Sequence, residues 1–392
     1  MSRLPVLTFI SNSLTPHQQP FCQAMYRMLG ENFHFIQTVP MSEERKKMGW
    51  HIEGKTPYLR LWQKDTIQCK NLLLNSDCVV SGSVSEVLLK ERIRAGKLLF
   101  RYSERPLKKG VEPLKYLPRL LKWHYKNPSN KPIYMLCASG YTAGDYAKFG
   151  LFKNRTFKWG YFPATKTYNL NDLFAQKSTG RQVNILWAGR FFNWKHPQLA
   201  LKTAFQLRQA GYHFSLKLIG SGPLENLLKE QTKHLGLADI VRFLGTMPPE
   251  QVRSHMEQAD IYWFTSDFHE GWGAVLNESM NSGCAIVASH AIGAVPFLLQ
   301  HNENGLIYEN ANASEFYQQT VYLIEHPQER KCLGANAYRT ITEQWNAEVA
   351  AKRLIALFGA ISQGKASPFN EGPCSVAIPM LQKDMYEYLR GN

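Results

Sequence analysis

The sequence predicts an α/β protein with two doubly wound domains, because short apolar runs alternate with longer amphipathic stretches along most of its 392 residues. A chain of this length exceeds what one ordinary core can organise. The polar, weakly periodic stretch at 164–182 separates two such alternations. We therefore predict Rossmann-like domains over 1–163 and 183–350, a linker over 164–182, and a C-terminal helix and tail over 351–392.

In the first half, five short apolar runs are typical of buried parallel strands, and the stretches between them have helical spacing. The strands are predicted at Val6–Ile10, Phe33–Gln37, Cys78–Ser81, Lys97–Tyr102 and Ile133–Cys137, and the helices at Gln18–Leu29, Ser83–Arg94 and Tyr141–Phe149.

The second half repeats the alternation more regularly. Its strands are predicted at Val183–Trp187, Ser215–Ile219, Ile240–Phe243, Ile261–Phe264 and Ala285–Val287, and its helices at His196–Ala210 and Pro223–Leu235. An amphipathic helix at Glu348–Ala360 and a short final helix at Met380–Leu389 follow. The tail between them either crosses back to brace the first domain or is loosely attached, and the pattern favours neither.

Composition indicates a globular protein, with 44% hydrophobic and 20% charged residues. The seven cysteines are odd in number and form no C-x-x-C pair, which favours reduced thiols and gives no zinc-ligand spacing. No apolar run is long enough for a membrane span, and the first ten residues resemble a strand more than a signal peptide. These features predict a cytoplasmic protein.

Positive charge is concentrated in the first half. Residues 1–160 hold 26 Lys and Arg against 11 Asp and Glu, whereas the remainder holds 20 of each sign. A basic half favours an anionic partner such as an acidic lipid headgroup or a diphosphate-linked acceptor. The alternative is a charged face that only keeps the protein in solution. Nucleic acid is disfavoured because no motif of its usual binding modules is present. Residues 114–126 are basic, aromatic and roughly amphipathic, which fits either a membrane-surface helix or a core-packed helix with solvated cations.

The most informative segment runs from His269 to Glu278. Glu270 and Glu278 bracket the turn formed by Gly271, Trp272, Gly273 and Ala274, and an apolar strand precedes it. A strand, a glycine turn and a helix start form an anion site, because the first amides of a helix lack intrahelical partners. With carboxylates at both ends to accept hydroxyl groups, the segment predicts a sugar-nucleotide site. The alternative is an ordinary turn with one capping and one solvated glutamate.

Two basic side chains follow the strand predicted at Val183–Trp187. Arg190 and Lys195, after Gly189, would lie at the carboxyl edge of a parallel strand, where open α/β sheets bind ligands. A guanidinium and an ammonium there can bind a diphosphate and neutralise it as it leaves, in place of a metal ion. Two surface cations in a loop are the alternative.

A third strand-to-helix turn carries Gly220 and Gly222 before Pro223, and its amides can extend a phosphate site. The same spacing also suits a plain tight turn. Phe243 ends the next strand and is a candidate wall for a nucleotide base. All these segments end strands of one half, so we expect them to converge on one edge of one sheet.

Together these segments resemble the family-four retaining glycosyltransferases, the glycosyl transferases group 1, across roughly 180–350. The motifs are G-R-x₄-K at 189–195, G-x-G-P at 220–223, V-x-F-x-G at 241–245 and the E-x₇-E pair. The resemblance implies a GT-B fold with two domains facing a central cleft. It also implies that Arg190 and Lys195 bind the donor diphosphate, Glu270 the hexose and Glu278 the ribose.

The predicted function is therefore a retaining, metal-independent hexosyltransferase that uses a nucleotide-diphosphate sugar and no cofactor. Its expected acceptor is a glycan or a polyprenyl-diphosphate-linked glycan in bacterial capsule or exopolysaccharide synthesis. The basic segment at 114–126 also fits peripheral attachment to the anionic inner face of the cell membrane. His17, in the first strand-to-helix loop, is either a candidate acceptor-side group or an ordinary loop histidine. The alternatives are a sugar-nucleotide epimerase, another GT-B enzyme or a non-catalytic nucleotide-sugar binder.

Overall fold

The computed structural model describes residues 3–43, 50–52, 54–177 and 182–391. The chain forms two compact units, each built around one parallel sheet. The first unit comprises Met1–Ala164 and Trp345–Gln382, and the second comprises Thr165–Gln344 and Lys383–Asn392. No helix in the described part of the chain combines the length and the apolarity that a membrane span requires.

The sheet of the first unit has seven strands in the order β3-β2-β1-β4-β5-β6-β7, all parallel. Its central strands are buried along their whole length, because helices cover both faces of a doubly wound sheet. The strands are β1 Leu7–Ser11, β2 Phe33–Gln37, β3 Leu59–Leu61, β4 Cys78–Ser81, β5 Leu99–Ser103, β6 Ile133–Cys137 and β7 Thr156–Lys158.

The helices of the first unit connect these strands, and one more is contributed by the C-terminal part of the chain. They are α1 Gln19–Leu29, α2 Thr66–Asn75, α3 Lys90–Arg94, α4 Pro113–Lys126, α5 Thr142–Ala147 and, later in the chain, α14 Ala347–Ser362.

The sheet of the second unit has six parallel strands in the order β10-β9-β8-β11-β12-β13. A continuous core of aliphatic and aromatic side chains from its strands and helices supports it. The strands are β8 Val183–Ala188, β9 Phe214–Ile219, β10 Val241–Gly245, β11 Ile261–Phe264, β12 Ala285–Ser289 and β13 Leu306–Tyr308.

The helices of the second unit include the short last helix of the chain. They are α6 Leu170–Ala175, α7 Pro197–Gln209, α8 Glu225–His234, α9 Pro249–Gln258, α10 Val275–Asn281, α11 Val295–Leu298, α12 Ala313–Glu325, α13 Pro327–Arg339 and α15 Met385–Arg390.

The two sheets confirm the predicted fold class. The predicted linker at 164–182 contains helix α6, and its residues 178–181 lie outside the described residues. Residues 345–350, which the sequence pattern assigned to the second domain, group with the first unit. The reason is that α14 packs against α1, where Arg27 and Glu348 form an ion pair.

The C-terminal tail continues along the edge of the first sheet. Phe157 and Val376 form an antiparallel bridge beside β7. The Lys158 amide donates to the Ser375 carbonyl at 2.7 Å, and the Ala377 amide donates to the Thr156 carbonyl at 3.0 Å. The tail therefore covers a strand edge that would otherwise present unpaired backbone groups.

Candidate active site

In the second sheet, β9 and β10 lie on one side of β8, and the later strands β11 to β13 lie on its other side, so the strand order reverses at β8. This strand pairs with β9 on one side and with β11 on the other. The loops after β8 and β11 therefore leave the carboxyl edge side by side, which is the point where open α/β sheets bind ligands. The loop after β8 carries Gly189, Arg190 and Lys195, and the loop after β11 carries Glu270.

Lys195 and Glu270 form an ion pair between these two loops, through Nζ and Oε2. Their side chains are only 12% and 11% exposed. The Ser266 hydroxyl donates to the same carboxylate oxygen at 2.8 Å, and Nζ lies 5.6 Å from the centre of the Phe264 ring. Charges held partly away from water act more strongly on a charged ligand than exposed charges do.

Three further hydrogen bonds fix the two loops. The Thr265 hydroxyl donates to the Lys195 carbonyl at 2.6 Å and accepts a hydrogen bond from the Trp187 indole at 2.8 Å. The Asp267 amide donates to the Trp194 carbonyl at 3.0 Å. The ammonium and the carboxylate are thus carried on loops with a fixed spacing. These polar residues were not among the predicted site residues, although they directly follow an apolar strand.

Asp267 also holds two imidazoles beside the ion pair. Its Oδ2 lies 3.1 Å from Nε2 of His196, and its Oδ1 lies 2.8 Å from Nδ1 of His269. His196 has a left-handed backbone, with φ of 49°, where the loop turns into α7. Both histidines are partly exposed and neighbour Lys195 or Glu270 in sequence. No pattern in the sequence indicated this cluster, because it joins residues about seventy positions apart.

Arg190 is exposed, and its guanidinium carbon lies 4.8 Å from the centre of the Phe192 ring. Its side chain forms no hydrogen bond or ion pair with any residue that the structure describes. The structure therefore brings Lys195 and Glu270 together but gives Arg190 no charged partner in the described part of the chain. An unpaired guanidinium retains its planar set of donors for a phosphate.

Gly220 and Gly222 let two loops approach backbone to backbone. Gly220 has φ of 131°, and a Cβ there would lie 1.9 Å from the Gly189 carbonyl oxygen. A Cβ on Gly222, with φ of 153°, would lie 2.8 Å from the Phe191 nitrogen. The Phe191 amide donates to the Ser221 carbonyl at 2.8 Å. These glycines are thus required to hold the loop after β9 against the loop that carries Arg190 and Lys195.

The glycine turn after Glu270 combines a core side chain with unpaired amides. Trp272 is fully buried, and its indole donates to Asn277 Oδ1 at 2.8 Å. Any ligand contact by Trp272 would therefore involve its backbone. The amides of Gly271, Gly273 and Ala274 donate to no other residue in the described ranges. Gly273 has φ of 88°, and a Cβ there would lie 2.7 Å from the Phe264 ring, so this turn also requires glycine.

Glu278 lies in the first turn of α10 and is partly buried. Burial raises the pKa of its carboxyl from 4.5 to about 7, the Arg253 guanidinium lowers it, and Glu250 raises it. No described residue donates a hydrogen bond to this carboxylate. A shielded acceptor without a donor is suited to a ligand that supplies hydroxyl groups.

Tyr262 connects the environments of the two glutamates. Its hydroxyl donates to the Ala188 carbonyl at 3.1 Å, at the end of β8. Burial raises the pKa of Tyr262 well above its usual value, and the negative charges of Glu278 and Glu270 both raise it further. The negative charges of both glutamates therefore act on the Tyr262 hydroxyl, which lies at the end of β8.

Phe243 lies in the middle of β10, which continues to Gly245, and not at the strand end that the sequence pattern predicted. It is partly buried, and its ring centre lies 6.1 Å from that of Phe191, which belongs to the loop carrying the two cations. Phe243 therefore contacts the loop after β8 through Phe191. The remaining predicted residue, His17, belongs to the first unit.

His17 lines a cavity of about 570 Å³ in the first unit. The cavity lies at the carboxyl edge of the first sheet, beside Ser11 of β1 and Ser81 of β4, where the strand order of that sheet also reverses. The His17 ring centre lies 6.1 Å from that of Tyr161, and the two ring planes are parallel within 2°. The Tyr161 hydroxyl donates to Glu104 at 2.6 Å. Aromatic faces beside hydroxyl and carboxylate groups suit a polar ring such as a sugar.

Two Rossmann-like sheets in one chain define the GT-B fold class. The crystal structure of Anabaena HepE in complex with UDP has this fold and aligns with a TM-score of 0.64 and 16% identity, covering 91% of this chain and 99% of HepE. HepE has also been solved in complex with UDP-glucose. At this identity the similarity shows the fold alone.

The sequence of the second unit resembles a known family. Residues 171–340 match the model of the glycosyl transferases group 1 family. An uncharacterized glycosyltransferase of Haemophilus influenzae is 32% identical over 162 residues, which is 41% of this chain and 45% of the relative. The amylovoran biosynthesis glycosyltransferase AmsK of Erwinia amylovora is 30% identical over 136 residues, 33% of each chain. The matches thus span less than half the length of these curated relatives.

Proposed function

We propose that the protein is a retaining glycosyltransferase that moves a hexose-type sugar from a nucleotide-diphosphate sugar to a glycan or lipid-linked glycan. The observation that carries the proposal is the Lys195–Glu270 ion pair at the strand-order reversal of a group 1 glycosyltransferase domain. The relative named for amylovoran biosynthesis supports a place in bacterial surface polysaccharide synthesis, capsule or exopolysaccharide.

In this proposal Arg190 and Lys195 bind the diphosphate of the donor. Arg190 offers a guanidinium that pairs with no charged residue among those described, and Lys195 offers an ammonium whose position is fixed by its loop. Two cations neutralise the charge that develops on the leaving diphosphate, which is the task that a metal ion performs in other enzymes. The amides of Gly271, Gly273 and Ala274, which donate to no described residue, add donors for the same phosphates.

Glu270 changes partner when the donor binds. The diphosphate competes for the Lys195 ammonium, so the carboxylate becomes available to hexose hydroxyls while Ser266 still donates to it. A carboxylate beside the sugar ring also stabilises the positive charge that develops there in the transition state. This placement gives Glu270 an electrostatic role. A covalent bond between Glu270 and the sugar is the alternative mechanism, and we favour it less.

The proposed reaction is a single front-side displacement. The acceptor hydroxyl oxygen forms a bond to the anomeric carbon while the bond between that carbon and the diphosphate oxygen breaks. The departing phosphate oxygen takes the hydroxyl proton, so the products are a glycoside and a nucleoside diphosphate. Attack on the face that the leaving group occupies retains the anomeric configuration.

Glu278 is proposed to accept hydrogen bonds from the ribose hydroxyls. Its carboxylate has no donor among the described residues and lies in the first turn of α10, just after the glycine turn. Hydroxyl donors from a ribose would stabilise the charged form that burial now disfavours. Phe243, near the glycine-rich loops, is the proposed wall for the base.

Donor affinity should rise with pH because of Glu278. Its carboxyl has a pKa of about 7, so it is mostly neutral at pH 6 and mostly charged at pH 8. If the ribose binds the charged form, the dissociation constant should fall by about tenfold across this range. Calorimetric titration with a nucleotide-diphosphate sugar is the measurement, since such a donor has no phosphate that titrates near neutrality.

The Glu278→Gln variant is the matched comparison. It should bind the donor more weakly at pH 8 and should lose the part of the pH dependence that Glu278 causes, while every other titrating group is unchanged. If the dissociation constants of the variant and of the native protein changed with pH in the same way, the assignment of Glu278 to the ribose would be contradicted.

The cavity of the first unit is proposed to bind the acceptor. Its aromatic rings and hydroxyl groups suit a sugar, and His17 and Glu104 are the groups with which it could orient an acceptor hydroxyl. A polyprenyl-diphosphate-linked glycan would bring the reaction to the inner face of the cell membrane, and the basic surface of this unit fits such an acceptor.

The function is tested by incubating the full chain with a panel of nucleotide sugars, with and without glycan acceptors. We expect release of nucleoside diphosphate that depends on the acceptor. The Glu270→Gln variant should lose this activity, and Glu225→Gln, which alters an exposed ion pair with Lys229, should retain it. An epimerase would alter the donor without an acceptor. A non-catalytic binder would show thermal stabilisation by nucleotides and no turnover with any pair of substrates.

A further inference from the structure

Helix α4 presents an apolar stripe to solvent. None of its 14 residues is buried. Leu114, Leu117, Leu121 and Tyr125 are spaced by three or four residues and so share one face. Their exposed fractions are 93%, 60%, 64% and 79%. We call these four residues the outer stripe, and a helix of a globular protein would normally bury such a face.

The opposite face of α4 holds the helix to the first unit. The Tyr116 ring stacks on Phe149 at 4.7 Å between centres, and the Tyr116 hydroxyl donates to the Lys148 carbonyl at 2.9 Å. Trp123 packs edge-on against Phe149 at 4.7 Å, and the His124 ring nitrogen lies 2.7 Å from the Phe149 carbonyl oxygen. The outer stripe is therefore fixed outward by packing on the other side of the helix.

A row of positive charge accompanies the outer stripe. Lys115 and Lys122 are seven residues apart and lie about 100° around the helix from the stripe. The helix contains four Lys and Arg residues and no Asp or Glu. Glu112, just before it, pairs with Lys115 at 2.7 Å. Apolar side chains flanked by cations match the interface of an anionic bilayer, where the chains enter the acyl boundary and the cations meet headgroups.

We propose that the outer stripe and its flanking lysines bind the surface of an anionic lipid bilayer. A second copy of this chain is a poor occupant, because two such helices would oppose like charges. The excess of 15 positive charges in residues 1–160 adds long-range attraction to the same partner.

The position of α4 connects this surface with the acceptor cavity. Trp123 and Lys126, from the inner side of the same helix, line that cavity. If the cavity binds the acceptor, which rests on the proposed function, the acceptor would be held one helix away from the lipid. This arrangement favours an acceptor with a lipid anchor. The lipid contact itself is measured without turnover, so its failure and the failure of the proposed function are distinguishable.

The test is co-sedimentation of the full chain with vesicles of phosphatidylcholine alone and of phosphatidylcholine mixed with phosphatidylglycerol. We expect binding to the mixed vesicles only, weakened by salt because the charge contribution is screened. The Lys115→Glu/Lys122→Glu variant should lower the partition coefficient by about 30-fold or more. The Leu117→Ser/Leu121→Ser variant should lower it by about tenfold or more. All four side chains are solvent-exposed, so we expect unchanged circular dichroism.

Matched controls distinguish the effect of this surface on vesicle binding from the effects of net charge and general hydrophobicity. Lys70→Glu/Lys90→Glu makes the same charge change on exposed positions of α2 and α3, and Ile67→Ser removes an apolar side chain that is 79% exposed and lies outside the outer stripe. Both controls should bind vesicles nearly as the native chain does. Equal binding to neutral vesicles, no binding at low ionic strength, or an equal loss in the lysine control would overturn the proposal. A native dimer that the Leu117→Ser/Leu121→Ser variant converts to a monomer would also overturn it.

Discussion

Replacing Lys195 by alanine should lower kcat/KM for the donor by about a thousandfold, or about 4 kcal/mol of transition-state stabilisation. The change removes the cation proposed for the leaving diphosphate. It also leaves the carboxylate of Glu270, only 11% exposed, without its ionic partner. Steady-state kinetics with a saturating acceptor is the measurement, and most of the loss should fall on kcat if the cation acts on the leaving group.

The exposed pair of Lys229 with Glu225 supplies the control in the same unit. Lys229→Ala removes a lysine whose side chain is 47% exposed and should change kcat/KM by less than about twofold. The Lys195→Ala/Glu270→Ala variant removes the orphaned carboxylate, so it should regain stability without regaining activity. Turnover of Lys195→Ala within a few-fold of the native rate would refute the proposed role of the ammonium.

Replacing Gly220 by alanine should lower the free energy of unfolding of the second unit by about 3 kcal/mol or more. The backbone has φ of 131°, which disfavours any L side chain, and the new Cβ would lie 1.9 Å from the Gly189 carbonyl oxygen. Relief of this clash requires the two loops to separate, so donor binding should fall as well. Urea denaturation and donor titration measure the two effects.

Gly211 provides a close comparison for this substitution. It has φ of 82°, and a Cβ there would meet nothing within 4 Å. Gly211→Ala should therefore show the conformational cost alone, about 1–2 kcal/mol, with donor affinity unchanged. If both variants lost the same stability, the close approach of the loops would not matter.

The buried central strands were predictable because each is a continuous apolar run. Phe33–Gln37, Cys78–Ser81 and Ile261–Phe264 have the predicted limits. The three-residue strands β3, β7 and β13 were missed. Each is the outermost strand of its sheet and pairs with one neighbouring strand, so it needs no long apolar run, and a stretch of three residues has no detectable period.

The candidate site was predictable only in its sequence-local parts. The ends of β8 and β11 and the glycine turn after Glu270 can each be recognised from residues that are adjacent in the sequence. The ion pair of Lys195 with Glu270 joins positions 75 residues apart, and only the pairing of β8 with β11 brings them together. The electrostatic environment of Glu278 likewise depends on distant residues, because Arg253 and Glu250 of α9 and Tyr262 of β11 interact with its charge.

The interleaved order of the two units has a consequence for protein engineering. A chimera that exchanges the second unit with that of a relative cannot be made with one crossover, because α14 belongs to the first unit and α15 to the second. It needs junctions after Ala164, before Trp345 and after Gln382. A gene fragment ending at Gln344 would encode a first unit without the helix that packs on α1, so its recombinant product should be recovered mainly in inclusion bodies.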